Sequence, residues 1–281
     1  MRWLWPLGAP LYGGCMTLPS TPAVRENGTG IPLVLLHAFP LSARMWEAQL
    51  ELLPGPTGEQ ARVLAPDQRG FGAVELGQDA PSLDLVADDV ARLLDVAGID
   101  RAVIGGLSMG GYTAMAFARR HPGRLAGLLL ADTKATADTA QARANRERMA
   151  QAVLARNSVQ LLVDDRFEES VLGPATAPEL TARVREMIAE ASPQAVAWAQ
   201  RAMAGRQDSL DVLAGVTVPA AVIVGEQDAL TPLAEARLMA EALPDAQLTV
   251  IPSVGHFSSL EAPETFNAAV RGLLRRIGRI R

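Results

Sequence analysis

Six short runs recur along the chain with almost no polar residue inside them: "PLVLLH" (32–37), "ARVLAPD" (61–67), "RAVIGGL" (101–107), "LAGLLLAD" (125–132), "AAVIVGEQD" (220–228) and "AQLTVIP" (246–252). A strand exposed on one face alternates apolar and polar residues, so runs without alternation belong in a sheet covered on both faces. Helical candidates lie between them, at about 45–53, 84–97, 109–121, 232–243 and 263–279. Strand and helix in alternation predict an α/β fold, a mostly parallel central sheet with helices on both faces.

The alternation stops once. From Lys134 to about Leu213 the chain carries helical segments, "NRERMAQAVLAR", "APELTARVREMIAEA" and "SPQAVAWAQRAMAG" among them, and no convincing strand. In the last, Ser192 and Pro193 form a cap and first-turn pair. Because the strand pattern resumes at Pro219, residues 134–213 are expected to be an all-helical lid inserted into a core made of 22–133 and 214–281. Residues 1–21 are expected to be a disordered extension or an over-called start, since Met16 opens a natural-looking "MTLPS". Two prolines interrupt the apolar stretch before it, and no small-residue cleavage site follows, which argues against a signal peptide.

Several function classes fall away on composition. A net charge of −5 leaves no broad basic surface for nucleic acid or an anionic membrane. No run approaches the roughly 20 apolar residues of a membrane span. Cys15 has no second cysteine to pair with, and the three histidines lack acidic or thiol partners at ligand spacing, so neither a metal nor a cofactor is expected. The expectation is a cytoplasmic protein acting on a small molecule, with a homo-oligomer left open.

The stretch "VIGGLSMGGYTAMAF" (103–117) surrounds Ser108 with glycine, and Gly106-Leu107-Ser108-Met109-Gly110 fits G-x-S-x-G. That pattern describes either an ordinary tight turn or a strained elbow that exposes a nucleophilic serine. Ligands of an open parallel sheet bind beyond the carboxyl ends of its strands. His37, Asp67, Ser108, Asp132 and Asp228 stand at such ends, and His256 follows the last strand. A serine hydroxyl needs an imidazole to take its proton and a carboxylate to orient that imidazole. His121, in "RRHPG", suits a helix end, and His37 must shape a loop, which leaves His256. Asp132 and Asp228 both fit the order Ser, Asp, His, and either could instead cap the helix that follows it.

Five pieces taken together carry a resemblance: "LLHAFPLSARMW", "PDQRGFG", "GLSMGG", "VGEQDALTP" and "VGHFSSLEAPETF", in that order. From about Pro22 to Ile277 the chain resembles the α/β-hydrolase superfamily. In particular it is similar to capped serine esterases, cofactor-free haloperoxidase-like perhydrolases and the 3-oxoadipate enol-lactonase group. The resemblance implies Ser108 as nucleophile, His256 as base and Asp228 as acid. It also implies an oxyanion hole made by the backbone N–H groups of Met109 and Phe39, with Ala38 standing where the family usually has glycine. The implied reaction is hydrolysis of a small carboxylic ester or lactone through an acyl-enzyme. Perhydrolysis, C–C bond hydrolysis and non-catalytic ligand binding on the same scaffold are the alternatives. Serine at 108 argues against the dehalogenase and epoxide-hydrolase branches, which use aspartate there.

The lid offers Met149, Val153, Leu154, Phe167, Met187, Trp198 and Met203 to a substrate pocket, of which Met149, Phe167, Trp198 and Met203 are expected to line it. At least half of the seven are expected only to hold lid helices to one another. Asp67 and Arg69 are expected to tie down the loop after their strand. The basic "RGLLRRIGRIR" reads as the solvated side of a last helix whose Leu273, Leu274, Ile277 and Ile280 share a face.

Overall fold

Seven strands form one sheet in the order β1-β3-β2-β4-β5-β6-β7, seen in a computed structural model that describes residues 23–164 and 167–278. They are β1 (Val24–Asn27), β2 (Ile31–Leu36), β3 (Ala61–Pro66), β4 (Ala102–Leu107), β5 (Leu125–Ala131), β6 (Ala220–Gly225) and β7 (Ala246–Ile251). All pairings are parallel except β1 with β3, where Val24 faces Pro66. The expected extension 1–21 with its Cys15, together with Pro22 and Ile280, lies outside the described residues.

The six apolar runs are strands β2 to β7. Successive side chains of a strand point to opposite faces, and every residue of β4 and β6 is buried, so both faces are covered there. The last run departs from that expectation. Strand β7 is the last of the sheet among the described residues, and Leu248 and Val250, two positions apart and so on one face, are exposed, which shows that this face is not fully covered. At the opposite edge, β1 ("VREN") is half-exposed and carries no apolar run.

Twelve α-helices are described: α1 (Glu47–Leu52), α2 (Leu83–Val96), α3 (Met109–Arg120), α4 (Ala140–Arg156), α5 (Gln160–Asp164), α6 (Phe167–Val171), α7 (Pro178–Ala189), α8 (Pro193–Ala204), α9 (Leu210–Ala214), α10 (Leu233–Ala242), α11 (Ser258–Glu261) and α12 (Pro263–Gly278). No strand occurs among the described residues between β5 and β6, where α4 to α9 lie. Helices α4 and α8 pair with each other, whereas α9 packs on α3 and α10. The Ser192 hydroxyl caps α8 by accepting from the Ala195 N–H (3.1 Å). On α12, Leu273, Leu274 and Ile277 are buried against the core, and Arg276 reaches the Ala220 carbonyl (2.9 Å). Among the described residues no helix is long and apolar enough to cross a membrane.

The strand order positions the site. The chain passes from β2 outward to β3, then returns to the other side of β2 as β4, with Leu36 level with Gly106. Where the order reverses, the loops leaving two neighbouring strands diverge and open a crevice. His37 to Pro40 leave β2 at that point, and Ser108 leaves β4.

Candidate active site

Ser108 sits between β4 and α3 with φ 55° and ψ −112°, a region that L-residues rarely occupy. Two glycines make room for the turn. A Cβ on Gly106 would lie 2.1 Å from the Gly110 carbonyl carbon, and one on Gly110 would lie 2.0 Å from the Leu36 carbonyl oxygen. The strand end, the helix start and β2 therefore approach backbone to backbone. The Ser108 N–H donates to Ala131 (3.0 Å), and its carbonyl accepts from Tyr112 N–H (3.1 Å) and the Thr133 hydroxyl (2.9 Å). The backbone is fixed on both sides, and the half-buried side chain is presented at the crevice.

Asp228 and His256 meet beyond β6 and β7. His256 Nδ1 lies 2.8 Å from Asp228 Oδ2, and both side chains are almost fully buried. The carboxylate is held further by the N–H groups of Leu230 and Thr231 on Oδ1 (2.9 Å each) and the Thr231 hydroxyl on Oδ2 (2.6 Å). Asp228 thus both shapes its own turn and binds the imidazole. Burial favours neutral forms, yet the hydrogen bond and charge of the pair outweigh it. His256 is held above the ordinary histidine value by Asp228, with Asp132 and Glu261 adding to the effect. Asp228 is held below the usual carboxylate range by His256 and Thr231.

Asp132, at the end of the neighbouring strand, makes a different set of contacts. Its Oδ1 accepts from the Gly225 N–H (2.8 Å), and its Oδ2 accepts from the Ser258 N–H (3.2 Å) and hydroxyl. It bridges the segment leading to Asp228 and the one following His256. Complete burial pushes its carboxyl up to about 7.

The loop after β2 is built around His37. The Gln68 N–H donates to His37 Nε2 (2.9 Å), so Nδ1 carries the proton and faces the Ala38 carbonyl at 3.0 Å. Gln68 Nε2 donates in return to the His37 carbonyl (2.8 Å). Burial lowers the His37 pKa, which keeps this ring neutral and structural. Outside glycine, positive φ among the described residues is confined to Ser108, Asp132, Asn157 and Ser253, so Ala38 holds its place without strain. Phe39, next along, is almost buried. Met109 is the first residue of α3, so its N–H has no carbonyl four residues earlier in the helix to bond.

Asp67 and Arg69 tie down the loop after β3 as expected. Asp67 accepts from the N–H groups of Ala43 (2.8 Å) and Ala73 (3.2 Å), and Arg69 pairs with Asp79 and Asp89. His121 ends α3 against Asp88 (2.8 Å).

Residues 31–263 match the family described as the alpha/beta hydrolase fold. The chain belongs to the α/β-hydrolase family. A thermophilic esterase from Thermogutta terrifontis, solved with malate bound, is 38% identical to this hydrolase, with a TM-score of 0.86 over 92% of this chain and 98% of its own. The 3-oxoadipate enol-lactonase 2 of Acinetobacter baylyi is 27% identical over 87% of this chain and 88% of its own. A pimeloyl-acyl-carrier-protein methyl ester esterase of Chromobacterium violaceum is 30% identical over 88% and 95%.

The four residues of 134–213 expected to line a pocket occupy different surroundings. The Phe167 ring meets the Phe39 ring edge to face, with centroids 6.4 Å apart. Met149 is half-buried against the core. The Trp198 indole N–H donates to the Asp79 carbonyl (2.9 Å), which ties α8 to the loop before α2. Met203 is buried, and its sulfur accepts from Arg146 of α4 (3.5 Å), so it serves the seam between α4 and α8. Of the remaining candidates, Met187 lines a cavity of about 330 Å³ with Pro40, Leu41 and Phe71, and Leu154 is exposed. Among the described residues no group of three His, Cys, Asp or Glu side chains is placed to hold a metal ion.

Two contributors escape a motif search. Thr231 donates to Asp228, and its place in "DALT", three residues after an acid, is a recognisable side-chain turn signal. Glu261 accepts from the backbone around His256, and backbone donors leave no mark in a sequence.

Proposed function

We propose that this hydrolase cleaves a small carboxylic ester or lactone through an acyl-enzyme on Ser108. The observation that carries the reading is the buried Asp228–His256 pair at 2.8 Å, beyond the same carboxyl end of the strands as a serine held at φ 55°. His256 Nε2 takes the Ser108 proton as Oγ attacks the carbonyl carbon, while Asp228 keeps Nδ1 protonated and orients the ring. The Met109 and Phe39 N–H groups stabilise the oxyanion, each such donor typically contributing about 3 to 4 kcal/mol. As the tetrahedral intermediate collapses, His256 returns its proton to the leaving alkoxide. Water, deprotonated by the same nitrogen, then attacks the acyl carbon, and His256 gives that proton to Ser108 Oγ as the acid is released. An esterase and an enol-lactonase among the relatives support this substrate class.

The insertion is read as a lid that roofs the crevice. Phe167 packs on Phe39, and Arg183 of α7 pairs with Glu47 of α1 (2.6 Å). An apolar roof suits short to medium uncharged acyl groups or a compact lactone ring. With p-nitrophenyl esters, kcat/KM is expected to peak between acetate and hexanoate, and a fluorophosphonate should label Ser108 in the native protein. Absence of labelling would remove the serine-hydrolase reading. A profile still rising at dodecanoate would show that the insertion opens as a lipase lid does.

The pH dependence has a determined sign. The base must be neutral to accept a proton, so kcat/KM should rise with pH through the titration of His256. Asp228 holds that titration above 6.5, and the midpoint is expected on the alkaline side of it. A midpoint at or below 6.5 would mean that the Asp228 contact does not operate in the free enzyme.

A further inference from the structure

Four consecutive backbone N–H groups carry His256, and each has a partner. Gly255 donates to Glu261 Oε2 (3.1 Å) and Phe257 to Glu261 Oε1 (3.2 Å). His256 itself donates to the Val171 carbonyl of α6 (2.6 Å), and Ser258 donates to Asp132 Oδ2 (3.2 Å). The lid therefore enters this set twice, because Glu261 Oε2 also accepts from the Gly173 N–H (2.7 Å) and the Thr176 hydroxyl (2.9 Å). A carboxylate has about four lone-pair sites, and donors from two separate segments occupy them here. The two segments touch where both have glycine. A Cβ on Gly255 would lie 2.5 Å from the Gly173 nitrogen, and one on Gly173 would lie 2.9 Å from Glu261 Oε2 and 3.0 Å from the Gly255 nitrogen. At its other end the same stretch of the insertion places Phe167 against Phe39.

We infer that Glu261 is a positioning residue that couples the lid to the base. Its carboxylate, shared between Gly173–Thr176 and Gly255–Phe257, holds the His256 loop in register with the seated lid. Lid displacement and loss of base geometry are then one event, which confines an activated serine to the closed site. Charge-assisted hydrogen bonds to an ionised carboxylate are about twice as strong as neutral ones, so four of them on one group form a stiff joint. The inference rests on the roles proposed above for Ser108 and His256. The charged groups that act on His256 are Asp228, Asp132 and Glu261. Removing the last of these lowers the charge that supports the imidazolium.

The test uses the full chain with Glu261→Gln and, on the lid side, Thr176→Val. Ester kcat and KM, the pH dependence of fluorophosphonate labelling, and hydrogen exchange in segments 171–177 and 252–258 are measured for each. Glu261→Gln keeps the shape but loses the charge and turns a donor toward one N–H. It is expected to slow labelling about tenfold to a hundredfold, the scale of a sub-ångström to 1 Å misplacement. Its midpoint should move to lower pH, and exchange should rise in both segments. Thr176→Val, which removes a lid-side donor without adding bulk against the His256 loop, should raise exchange in 252–258 as well as in 171–177 and lower kcat. The inference is overturned if Thr176→Val loosens 171–177 alone with kcat unchanged, or if Glu261→Gln keeps the wild-type rate and midpoint. Should Glu261→Gln fail to fold, Thr176→Val decides by the same readouts. Wild-type protein that is not labelled at Ser108 would instead remove the serine-hydrolase reading, and the exchange measurements would still report whether the two segments move together.

Discussion

Ser108→Ala is expected to leave a folded protein whose ester kcat falls by several orders of magnitude, toward the roughly 10⁶-fold loss seen when a triad serine is deleted. Folding should survive because alanine and serine both carry a Cβ, so the positive φ at 108 costs each about the same, and the backbone bonds to Ala131 and Tyr112 are unchanged. A small residual rate should persist, since the proposed oxyanion donors, the Met109 and Phe39 N–H groups, would still polarise a carbonyl toward attack by water. His256→Ala should cost a comparable amount. The double variant should cost little more than either single one, because a serine without its base and a base without its serine are both idle. Stopped-time assays on p-nitrophenyl acetate with matched circular dichroism check both halves. Activity above about a tenth of wild type in Ser108→Ala would refute its role as nucleophile.

How far such a result could be foreseen depends on which physical signal each residue leaves. Strands β2 to β6 were legible because a parallel sheet buries both faces, and burial writes itself as unbroken Val, Ile and Leu. Strand β1 left no such signal, since Val24–Asn27 is a short half-exposed edge whose only requirement is to pair with β3. The β7 run reads like an interior strand, yet it ends the sheet and the face that carries Leu248 and Val250 is left exposed, and neither strand order nor helix cover is written in local composition. The serine turn was legible because two glycines are demanded by approaches near 2 Å that no side chain could survive. The residues of the insertion proposed as a lid were less so. Methionine and tryptophan pack in many settings, and nothing in the sequence distinguishes Trp198 bonded to a neighbouring loop from Trp198 lining a pocket. Glu261 was invisible for a related reason, because its partners are mostly backbone N–H groups that any residue would supply.

The choice between the two aspartates shows most clearly what sequence order leaves open, and it leads to the second large effect. Asp132 and Asp228 follow adjacent parallel strands, so both arrive at the same end of the sheet within reach of the His256 loop. Only Asp228 is hydrogen-bonded to the imidazole, at Nδ1, while Asp132 is occupied by Gly225 and Ser258. Asp228→Asn would present either an oxygen or an amide N–H to Nδ1. The second arrangement stabilises the tautomer protonated at Nε2, which cannot accept the serine proton, and a neutral amide no longer supports the imidazolium. By analogy with the aspartate of a serine protease triad, kcat should fall by about 10⁴-fold. Asp132→Asn should act indirectly. Burial pushes its carboxyl up to about 7, so a neutral group is a milder change there than at Asp228. The amide would still turn a donor toward one backbone N–H, loosening the segment beyond His256, and the missing charge would lower the pH midpoint of kcat/KM. A loss below about a hundredfold is expected, on the scale of a second-layer displacement of a catalytic group. Single-turnover acylation rates for the two variants, measured above the midpoint where His256 is neutral in both, separate tautomer effects from charge effects. If Asp132→Asn proves the more damaging there, the acid belongs at the end of β5, and the Asp228–His256 contact serves the fold of its loop rather than proton transfer.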